Sequence, residues 1–441
     1  MTRDLLVSGG RIIDTDQNID TIGDLLISEG KISQIAGHGA LPDKNADVVD
    51  ATGCIVCPGF IDLHCHLRDP GFEDKETIVT GTQAAARGGF TTVCCMPNTN
   101  PPLDSRASVE YVVRTAARDG AVRVLPIGCI TKGRKGAELS EMYDLADAGV
   151  IGFSDDGNTV PNSQLMQKAM EYSRNLGLPI IDHCEDPMLA KDGSMHEGWV
   201  STRLGLKGIP AAAEEIVIAR DIALAQLTKA RLHIAHVSTA GSVELIRRAK
   251  EQGIRITAEV TPHHLTLTHE RVMKAGQEEQ SGLLYDTNAK VNPPLRAEED
   301  ISALIAGLKG GVIDCIATDH APHHEVDKLC EFDLAAFGIS GLETALASLM
   351  TLVHSGRLDI KILVAALTAG PSRILGANHG LFGSIKLGCA ADIVIFDPNK
   401  EWTVRSRDFA SKGKNTPLEG HVLKGRVITT IYNGKIIYNE G

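Results

Sequence analysis

Hydrophobic and polar residues alternate in short runs at both ends of the chain. From Leu5 to about Ile55, the runs LLVSGGRIID and GDLLISEGKISQIAG are separated by Gly and Asp. The segment from about Leu381 repeats this pattern, with Asn433-Gly434 as a hairpin signal. Such alternation is typical of half-buried antiparallel strands. The two ends therefore predict one small β-rich unit assembled from both termini.

Between these ends, apolar strand-like runs alternate with amphipathic helical stretches. The strand candidates are GFIDLHCHL, FTTVCCMP, VRVLPIGCI, VIGFSDD, LPIIDHCED, LHIAHVS, either IRITAEVTPHH or AKVNPP, and VIDCIATDH. The helical stretches are Ser105–Arg118, Gln164–Asn175, Ala211–Thr228, Ser242–Gln252 and Gly341–Val353. About eight β-then-α units over roughly 310 residues are typical of a (β/α)8 barrel.

The predicted fold class is therefore α/β: a (β/α)8 TIM barrel with a small β-sandwich domain. We expect the sandwich to comprise residues 1–57 plus 375–441, and the catalytic barrel residues 58–374. A doubly wound open sheet is the competing fold, but the Gly-rich phosphate-binding turn expected after its first strand is missing. His64-Cys65-His66 stands at that position instead.

Size, charge and cysteine content narrow the class of protein. A chain of 441 residues exceeds what one compact core usually reaches, and its net charge of −12 argues against a nucleic-acid surface. No apolar run is long enough for a membrane span, and the start MTRDLLVSGG lacks the core of a signal peptide. Ten dilute cysteines favour buried thiols over a disulfide framework. We expect a cytoplasmic protein with neither nucleic-acid nor membrane partners.

Several predicted strands end in side chains that bind metals. His64 and His66 lie two positions apart, so both imidazoles project to the same side of the first strand. The fourth, fifth, sixth and last strands end in Asp155-Asp156, His183, His236 and Asp319-His320. Functional groups of TIM barrels gather at the carboxyl ends of the strands, and burying several ionisable groups together is costly without a compensating ion. The set predicts a metal site.

Two other histidine positions are expected to play different roles. His233 lies three residues before His236, so it should project to the opposite face of that strand as a packed side chain and not as a ligand. His263-His264 follows Pro262 at another strand end, where a loop or supporting position is favoured over direct ligation.

The ligand types indicate the chemistry. Imidazole and carboxylate without thiolate suit Zn²⁺ best, with Co²⁺, Mn²⁺ or Fe²⁺ as alternatives. Such a site can generate a nucleophilic hydroxide at neutral pH, and the carboxylate of the last strand can move its proton to a leaving nitrogen. The residues alone thus predict a metal-dependent hydrolase of a C–N or ester bond.

The motifs resemble those of the amidohydrolase superfamily, within it the cyclic amidases, and most narrowly the bacterial type I group of dihydroorotases. The resemblance runs from PGFIDLHCHLRDPG (58–71) to NTPLEG (415–420). It includes MPNTNP (96–101), FSDDG (153–157), KVNPPLR (290–296), ATDHAPH (317–323) and FGISGLET (337–344).

This resemblance implies a set of site residues. His64 and His66 would bind a first metal, His183 and His236 a second, and Asp319 would be a ligand of the first and the general acid/base. Many relatives bridge the ions with a carbamylated lysine, but the type I group uses an aspartate, and the spacing favours Asp156 here. Arg68, Asn98 and His323 would bind the substrate carboxylate, and Asn292 would meet the ring amide.

The implied activity is the reversible, zinc-dependent cyclisation of N-carbamoyl-L-aspartate to L-dihydroorotate in pyrimidine biosynthesis, with one or two Zn²⁺ per chain. Another cyclic amidase, a hydantoinase or allantoinase, remains an alternative, as does a barrel scaffold for aspartate carbamoyltransferase. We expect a small-molecule substrate and a homo-oligomer, with aspartate carbamoyltransferase as a possible partner. The acidic stretch His324–Gly338 is a candidate lid that orders when substrate binds.

Overall fold

The computed structural model describes residues 3–41, 46–273, 285–376 and 382–441. Its strands are β1 (Asp4–Asp14), β2 (Ile19–Ser28), β3 (Lys31–Gly37), β4 (Ala46–Asp50), β5 (Ile55–Pro58), β6 (Phe60–Cys65), β7 (Phe90–Cys95), β8 (Arg123–Pro126), β9 (Ile180–Asp182), β10 (Met195–His196), β11 (Gly208–Ile209), β12 (Leu232–Ile234), β13 (Ile256–Val260), β14 (Cys315–Ile316), β15 (Ile393–Thr403), β16 (Val422–Tyr432) and β17 (Lys435–Asn439).

The α-helices are α1 (Ile78–Arg87), α2 (Arg106–Asp119), α3 (Met142–Asp147), α4 (Ser163–Leu176), α5 (Trp199–Leu204), α6 (Ala212–Thr228), α7 (Ala240–Glu251), α8 (Pro262–Thr266), α9 (Glu298–Lys309), α10 (Ala345–His354), α11 (Ile360–Leu367) and α12 (Ala369–Leu375). Short 3-10 turns cover Lys132–Arg134, His269–Val272, Thr287–Ala289, Glu325–Asp327 and Ser406–Asp408.

The two ends of the chain form one eight-stranded sheet, in the order β17-β16-β15-β5-β1-β2-β3 with β4 beside β1. The register of β1 against β2 shifts between Val7 and Gly10, and β1 pairs with β4 before this shift and with β5 after it. The predicted hairpin at Asn433-Gly434 joins β16 to β17, with both residues at positive φ. The sheet encloses its own apolar core, which includes Leu25 and Ile395.

Eight parallel segments close into a barrel between these ends. The strands β6, β7 and β8 pair in sequence, as do β9, β12, β13 and β14. The fourth position is held by bridges of Phe153 to Gly128 and to Ile180, and a bridge from Cys65 to His320 closes the ring. The predicted fold class is confirmed, whereas the residue bounds of the two domains remain a prediction.

The helices begin and end where the sequence supplies caps. The side chain of Thr77 accepts a hydrogen bond from the Thr80 amide at the start of α1, and Ser105 does the same for α2. Asn162 caps α4, which ends at Gly177 in the left-handed conformation. These helices cover the outside of the barrel, so the carboxyl ends of the strands and the loops after them are left to form the site.

The seventh strand is the IRITAEV segment, in which β13 covers Ile256–Val260, whereas residues 289–294 contain no strand. In the described part of the chain, all ten cysteines are free, and seven of them are buried. No helix there combines the length and apolar character that a membrane span requires.

Candidate active site and metal centre

Nine of the ten residues selected from the sequence line one cavity of about 230 Å³ at the carboxyl ends of the barrel strands, and the tenth, His64, lies beside them. The nine are His66, Arg68, Asn98, Asp156, His183, His236, Asn292, Asp319 and His323. Convergence of side chains from seven segments of the barrel follows from its geometry, because parallel strands deliver their carboxyl ends to one face.

The first group of possible ligands is His64, His66 and Asp319, whose ligand atoms lie within 4.8 Å of one another. Nε2 of His66 lies 3.1 Å from Oδ1 of Asp319, and Nε2 of His64 lies 3.6 Å from the same oxygen. Both imidazoles come from one strand end, as the two-residue spacing predicted. All three residues are buried.

The second group shares His64 and adds Asp156 and His236, again within 4.8 Å. Oδ1 of Asp156 lies 3.3 Å from Nε2 of His64 and 3.8 Å from Nε2 of His236. Nδ1 of His183 extends this group, at 2.9 Å from Nε2 of His236 and 3.9 Å from Asp156. Oδ2 of Asp156 also lies 3.6 Å from Nε2 of His66, so the carboxylate of the second group reaches the first group as well.

The structure separates the two neighbouring aspartates of the fourth strand. Asp155 turns away from the cavity, and its carboxylate accepts hydrogen bonds from the amides of Ile130 and Thr131 at 2.9 and 3.0 Å. Asp156 faces the cavity, and its Oδ2 accepts a hydrogen bond of 3.2 Å from the Asn98 side chain. One aspartate thus shapes the loop after β8, whereas the other remains available to a ligand.

The residues selected for substrate binding lie on the walls of the same cavity. Arg68 donates to the carbonyl of Pro322 at 3.2 Å, and its Nη2 lies 3.3 Å from Nε2 of His323. The side chain of Asn292 lies 3.4 Å from Nε2 of His183, and its buried Oδ1 has no hydrogen-bond partner in the described part of the chain. A charged guanidinium together with an unpaired amide oxygen suits a ligand that carries both an anionic group and an amide.

Asn98 contacts other site residues as well as the cavity. Its Oδ1 accepts a hydrogen bond of 2.8 Å from Nδ1 of His66, while its amide group donates to Asp156. The hydrogen bond leaves Nε2 of His66 facing Asp319. Asn98 therefore orients two of the proposed metal ligands in addition to facing the cavity.

Burial and neighbouring charge set the protonation of the cluster. Burial alone would raise the pKa of Asp319, but its hydrogen bond with His66 and the charge of His64 hold that pKa below its usual value. Burial, reinforced by His236, lowers the pKa of His183 to about 3. Burial also lowers the pKa of Arg68 to about 10, which leaves its guanidinium charged at neutral pH. Ionised carboxylates beside a neutral imidazole are suited to bind a cation.

The donor set fits a divalent cation of the zinc type. The buried Nε2 of His64 has no hydrogen-bond partner among the described residues, although it faces two carboxylates. The converging ligand atoms are imidazole nitrogens and carboxylate oxygens, with no thiolate among them. A cation placed among these atoms would satisfy groups that are otherwise buried at a cost.

The structure also brings in residues that the sequence did not single out. Phe337 and Gly338, at the end of the candidate lid, line the cavity. Glu259 of β13 is fully buried and contacts Nδ1 of His64 at 2.8 Å. An acidic residue inside the apolar run ITAEV was the available signal for Glu259. His233 is packed within the barrel, where it contacts Glu259 at 3.1 Å. It lies outside the two groups around Asp156 and Asp319, but with Glu259 and Cys315 it forms a further buried cluster of possible ligands.

The last pair of histidines follows β13. His264 contacts the carbonyl of Pro293 at 2.9 Å and the hydroxyl of Thr261 at 2.8 Å. Neither His263 nor His264 belongs to a possible ligand group or lines the cavity. These placements agree with a supporting position at the start of α8.

Comparison with known proteins identifies relatives that match nearly the whole chain. A family model described as "Dihydro-orotase-like" matches residues 53–242, and one described as "Amidohydrolase family" matches residues 202–438. A dihydroorotase of Thermoanaerobacter sp. (strain X514) is 53% identical over 442 residues, covering 99% of this chain and 97% of the relative. A dihydroorotase of Geobacter sp. (strain M21) is 48% identical, covering 99% of this chain and 100% of the relative.

Solved structures share the fold. An L-hydantoinase (dihydropyrimidinase) from Arthrobacter aurescens superposes with a TM-score of 0.86 at 25% identity, covering 100% of this chain and 97% of that one. A dihydropyrimidinase from Brevibacillus agri gives a TM-score of 0.81 at 22% identity, covering 99% and 95%. The identity to the dihydroorotases is about twice as high and extends over nearly the whole chain. The chain belongs to the dihydroorotase family of the amidohydrolase superfamily.

Proposed function

We propose that this protein catalyses the reversible cyclisation of N-carbamoyl-L-aspartate to L-dihydroorotate in pyrimidine biosynthesis, with Zn²⁺ as its metal. The observation that carries the proposal is the single cavity in which Asp156, Asp319 and the proposed histidine ligands face Arg68 and Asn292. The cavity of about 230 Å³ lies below the usual volume range of sites for drug-sized ligands, so it suits a small, ring-shaped anion.

Six residues would hold the metal: His64, His66, Asp156, His183, His236 and Asp319. A divalent cation bound there would supply Lewis acidity, lowering the pKa of water towards neutrality and stabilising negative charge on a carbonyl oxygen. Whether one or two ions bind depends on whether Asp156 bridges the two groups, which share His64.

The proton transfers are assigned to Asp319. In the hydrolytic direction, water adds to the ring amide carbon, the C–N bond breaks, and Asp319 passes the proton of that water to the departing nitrogen. Ring closure is the reverse. The carboxylate of Asp319 lies 3.1 Å from Nε2 of His66, and its lowered pKa keeps it ionised and able to take up a proton.

Residues on the walls of the cavity would orient the substrate. The guanidinium of Arg68 would bind the substrate carboxylate together with Asn98 and His323, since a planar fork of donors matches that anion. The unpaired Oδ1 of Asn292 would accept a hydrogen bond from the ring amide. A ligand held at both ends places its scissile bond beside Asp319.

Turnover and metal content test the proposal together. We expect the purified protein to contain one or two zinc ions per chain by elemental analysis, and to hydrolyse L-dihydroorotate with a far higher kcat/KM than hydantoin or allantoin. A preference for hydantoin or allantoin would instead favour another cyclic amidase. Turnover of none of the three by the metal-loaded protein would contradict the proposal.

We also propose that the protein forms a homo-oligomer, is located in the cytoplasm and docks to an aspartate carbamoyltransferase. Light scattering of the purified protein, alone and mixed with an aspartate carbamoyltransferase, tests the assembly. A chain that stays monomeric in both samples would remove both expectations about partners without affecting the assignment of the cavity.

A further inference from the structure

One buried carboxylate touches residues of the two ligand groups around Asp156 and Asp319 without lining the cavity. Glu259 is fully buried on β13, beneath the floor of the site. Its Oε1 lies 2.8 Å from Nδ1 of His64 and 3.3 Å from the backbone nitrogen of His236. Its Oε2 lies 3.1 Å from Nε2 of His233. Both carboxylate oxygens are therefore occupied by nitrogen donors.

These contacts decide which nitrogen of His64 carries hydrogen. An ionised carboxylate can only accept, so Nδ1 of His64 is the donor to Glu259. The other nitrogen, Nε2, faces Asp156 and Asp319, at 3.3 and 3.6 Å, and would present its lone pair to a cation bound among them. A metal-binding imidazole needs this arrangement, with one ring nitrogen for the ion and the other held by an acceptor.

The same carboxylate supports the backbone of His236. This residue has a φ of +33°, which L-residues rarely adopt, and its amide is a donor to Glu259. His64 belongs to both possible metal groups and His236 to the second. A single side chain thus positions residues of each group.

A further hydrogen-bonded pair fixes Glu259 in turn. His233 is buried, donates from Nε2 to Glu259, and can accept from the hydroxyl of Thr257, which lies 2.8 Å from its Nδ1. The chain Thr257–His233–Glu259–His64 therefore has a donor for every acceptor. It runs from Thr257 of β13 to β12, returns to β13 at Glu259, and crosses the barrel interior to β6.

We propose that Glu259 is a positioning residue that sets the tautomer of His64 and the backbone of His236, with His233 holding Glu259 in place, and so strengthens divalent-cation binding. This role rests on the proposed metal site. The role belongs to two buried residues, Glu259 and His233, which do not line the cavity.

Zinc affinity of the whole protein tests this role without using turnover. The substitution Glu259→Gln keeps the size of the side chain but removes the charge and one acceptor. We expect it to weaken Zn²⁺ binding by about 10–100-fold, as loss of a partner of a metal-binding histidine usually does. The measurement is competition with a chelator on metal-stripped protein, with thermal unfolding of each metal-free variant recorded beside it.

Glu214→Gln is the matched control. Glu214 is also a buried glutamate of the barrel, but it accepts hydrogen bonds from Ser238 and Ser242, at 3.0 and 2.6 Å, and from no proposed ligand. We expect its zinc affinity to equal that of the wild type. Equal weakening by both substitutions would overturn the role of Glu259.

A second pair of variants extends the test to His233. The amide of His233→Gln can still donate to Glu259, whereas His233→Leu cannot. We expect zinc binding near the wild-type value in the first and about tenfold weaker in the second. This pair also decides the matter if Glu259→Gln fails to fold, because equal affinity of both His233 variants would overturn the role.

The two proposals fail in different ways. Tight zinc binding by the wild type and by Glu259→Gln alike would overturn the positioning role alone. A wild type that binds no zinc would overturn the proposed metal site and, with it, this role.

Discussion

Three side chains of the cavity stand on backbone conformations that L-residues rarely adopt. Arg68, His236 and Asp319 have φ values of +60°, +33° and +45°. Such conformations cost of order 1–3 kcal/mol each and persist only where the surroundings enforce them. They aim a guanidinium, an imidazole and a carboxylate into one cavity, which is consistent with selection for a site at the expense of local stability.

At the residue scale, the proposed role of Asp319 predicts a large loss of activity without loss of fold. Asp319→Asn keeps the shape of the side chain but can neither take up the proton nor offer the same charge. We expect kcat for L-dihydroorotate to fall by at least about 10³-fold, since a general acid/base usually contributes about 10²–10⁴-fold to the rate. Circular dichroism should show an unchanged fold.

The control for this substitution is Asp314→Asn. Asp314 precedes the same strand, β14, and bonds to Lys250 at 2.7 Å, away from the cavity. We expect nearly wild-type turnover from this variant. Wild-type rates in Asp319→Asn would contradict its assignment as the acid/base.

The proposed role of Arg68 predicts that its substitution weakens substrate binding. Arg68→Lys keeps the charge but loses the planar fork, so the hydrogen bonds to the substrate carboxylate weaken by about 1.5–3 kcal/mol. We expect KM for L-dihydroorotate to rise by about 10–100-fold, with a smaller change in kcat. Arg114→Lys, on an exposed part of α2, is the control. An unchanged KM in Arg68→Lys would show that this carboxylate is bound elsewhere.

The residue patterns predicted the ligands but not their supports. His64 and His66 could be selected because two-residue spacing puts both imidazoles on one side of a strand. Glu259 could not be placed beside His64 because the two residues are 195 positions apart and belong to different strands. Only the closed barrel brings such residues together.

At the scale of elements, the helices follow local signals closely, and the deviations have local causes. The stretch predicted from Gly341 becomes helical only at Ala345. The amides of Gly341 and Leu342 instead approach Nδ1 of His320, at 3.1 and 3.5 Å, so the chain turns beside the site before the helix starts. The fourth strand is reduced to bridges of Phe153, because the chain bends there to place Asp155 and Asp156 differently.

The segment from His324 to Gly338 is the element for which we predict movement. Its Leu329 and Leu334 side chains are 69% and 74% exposed, while its last two residues line the cavity. Nζ of the buried Lys328 donates to the carbonyls of Lys290 and Ala336, at 3.1 and 2.6 Å. Phe332 of the same segment is buried, and Nζ of Lys290 donates to the carbonyls of Phe332 and Asp333 at 2.7 and 3.0 Å. Asp327 also pairs with Lys75 at 2.9 Å, so opening must break these contacts as well.

Limited proteolysis measures this opening. We expect thermolysin to cut between residues 324 and 338 in the ligand-free protein, and saturating L-dihydroorotate to slow that cleavage several-fold. Lys328→Met should be cut faster than the wild type in the absence of ligand. Cleavage at the same rate with and without ligand would remove the lid hypothesis.

At the scale of the whole molecule, the barrel also packs against segments from the carboxyl-terminal end of the chain. Glu343, before α10, accepts a hydrogen bond of 3.2 Å from the amide of Ser411, and Arg87 lies 3.4 Å from its carboxylate. Burial raises the pKa of Glu343 from 4.5 to about 7, although Ser411 and Arg87 act in the opposite direction. This contact therefore holds its proton to a higher pH than the unfolded chain does.

Stability should depend on pH through this contact. A carboxyl group whose folded pKa is raised contributes stability fully below its unfolded pKa and loses it as pH rises through the folded value. We expect the free energy of unfolding of Glu343→Gln minus that of the wild type to be about 1–3 kcal/mol larger at pH 8 than at pH 4.5, because only the wild type loses stability over this range, at 1.36 kcal/mol per pKa unit. Urea denaturation at the two pH values measures the difference, and a constant difference would contradict the assignment.

The overall architecture could be predicted because each of its parts has a different periodicity. Short alternating runs at both ends indicated a small β-rich unit of half-buried strands, and the βα alternation between them indicated the barrel. The pairing order of the terminal sheet could not be predicted, since β15 lies beside β5 and so joins residues more than 300 positions apart. This pairing depends on how close the folded barrel brings the segments that precede and follow it in the chain.

Side chains from separate strands are proposed to bind a cation in one cavity, and this cation is proposed to activate water for the hydrolysis of L-dihydroorotate. The most direct measurement is the hydrolysis of L-dihydroorotate by metal-stripped protein before and after addition of Zn²⁺. We expect negligible turnover by the stripped protein and full recovery with about one or two equivalents of zinc per chain. Undiminished turnover by the stripped protein, or none after zinc is restored, would contradict the proposal.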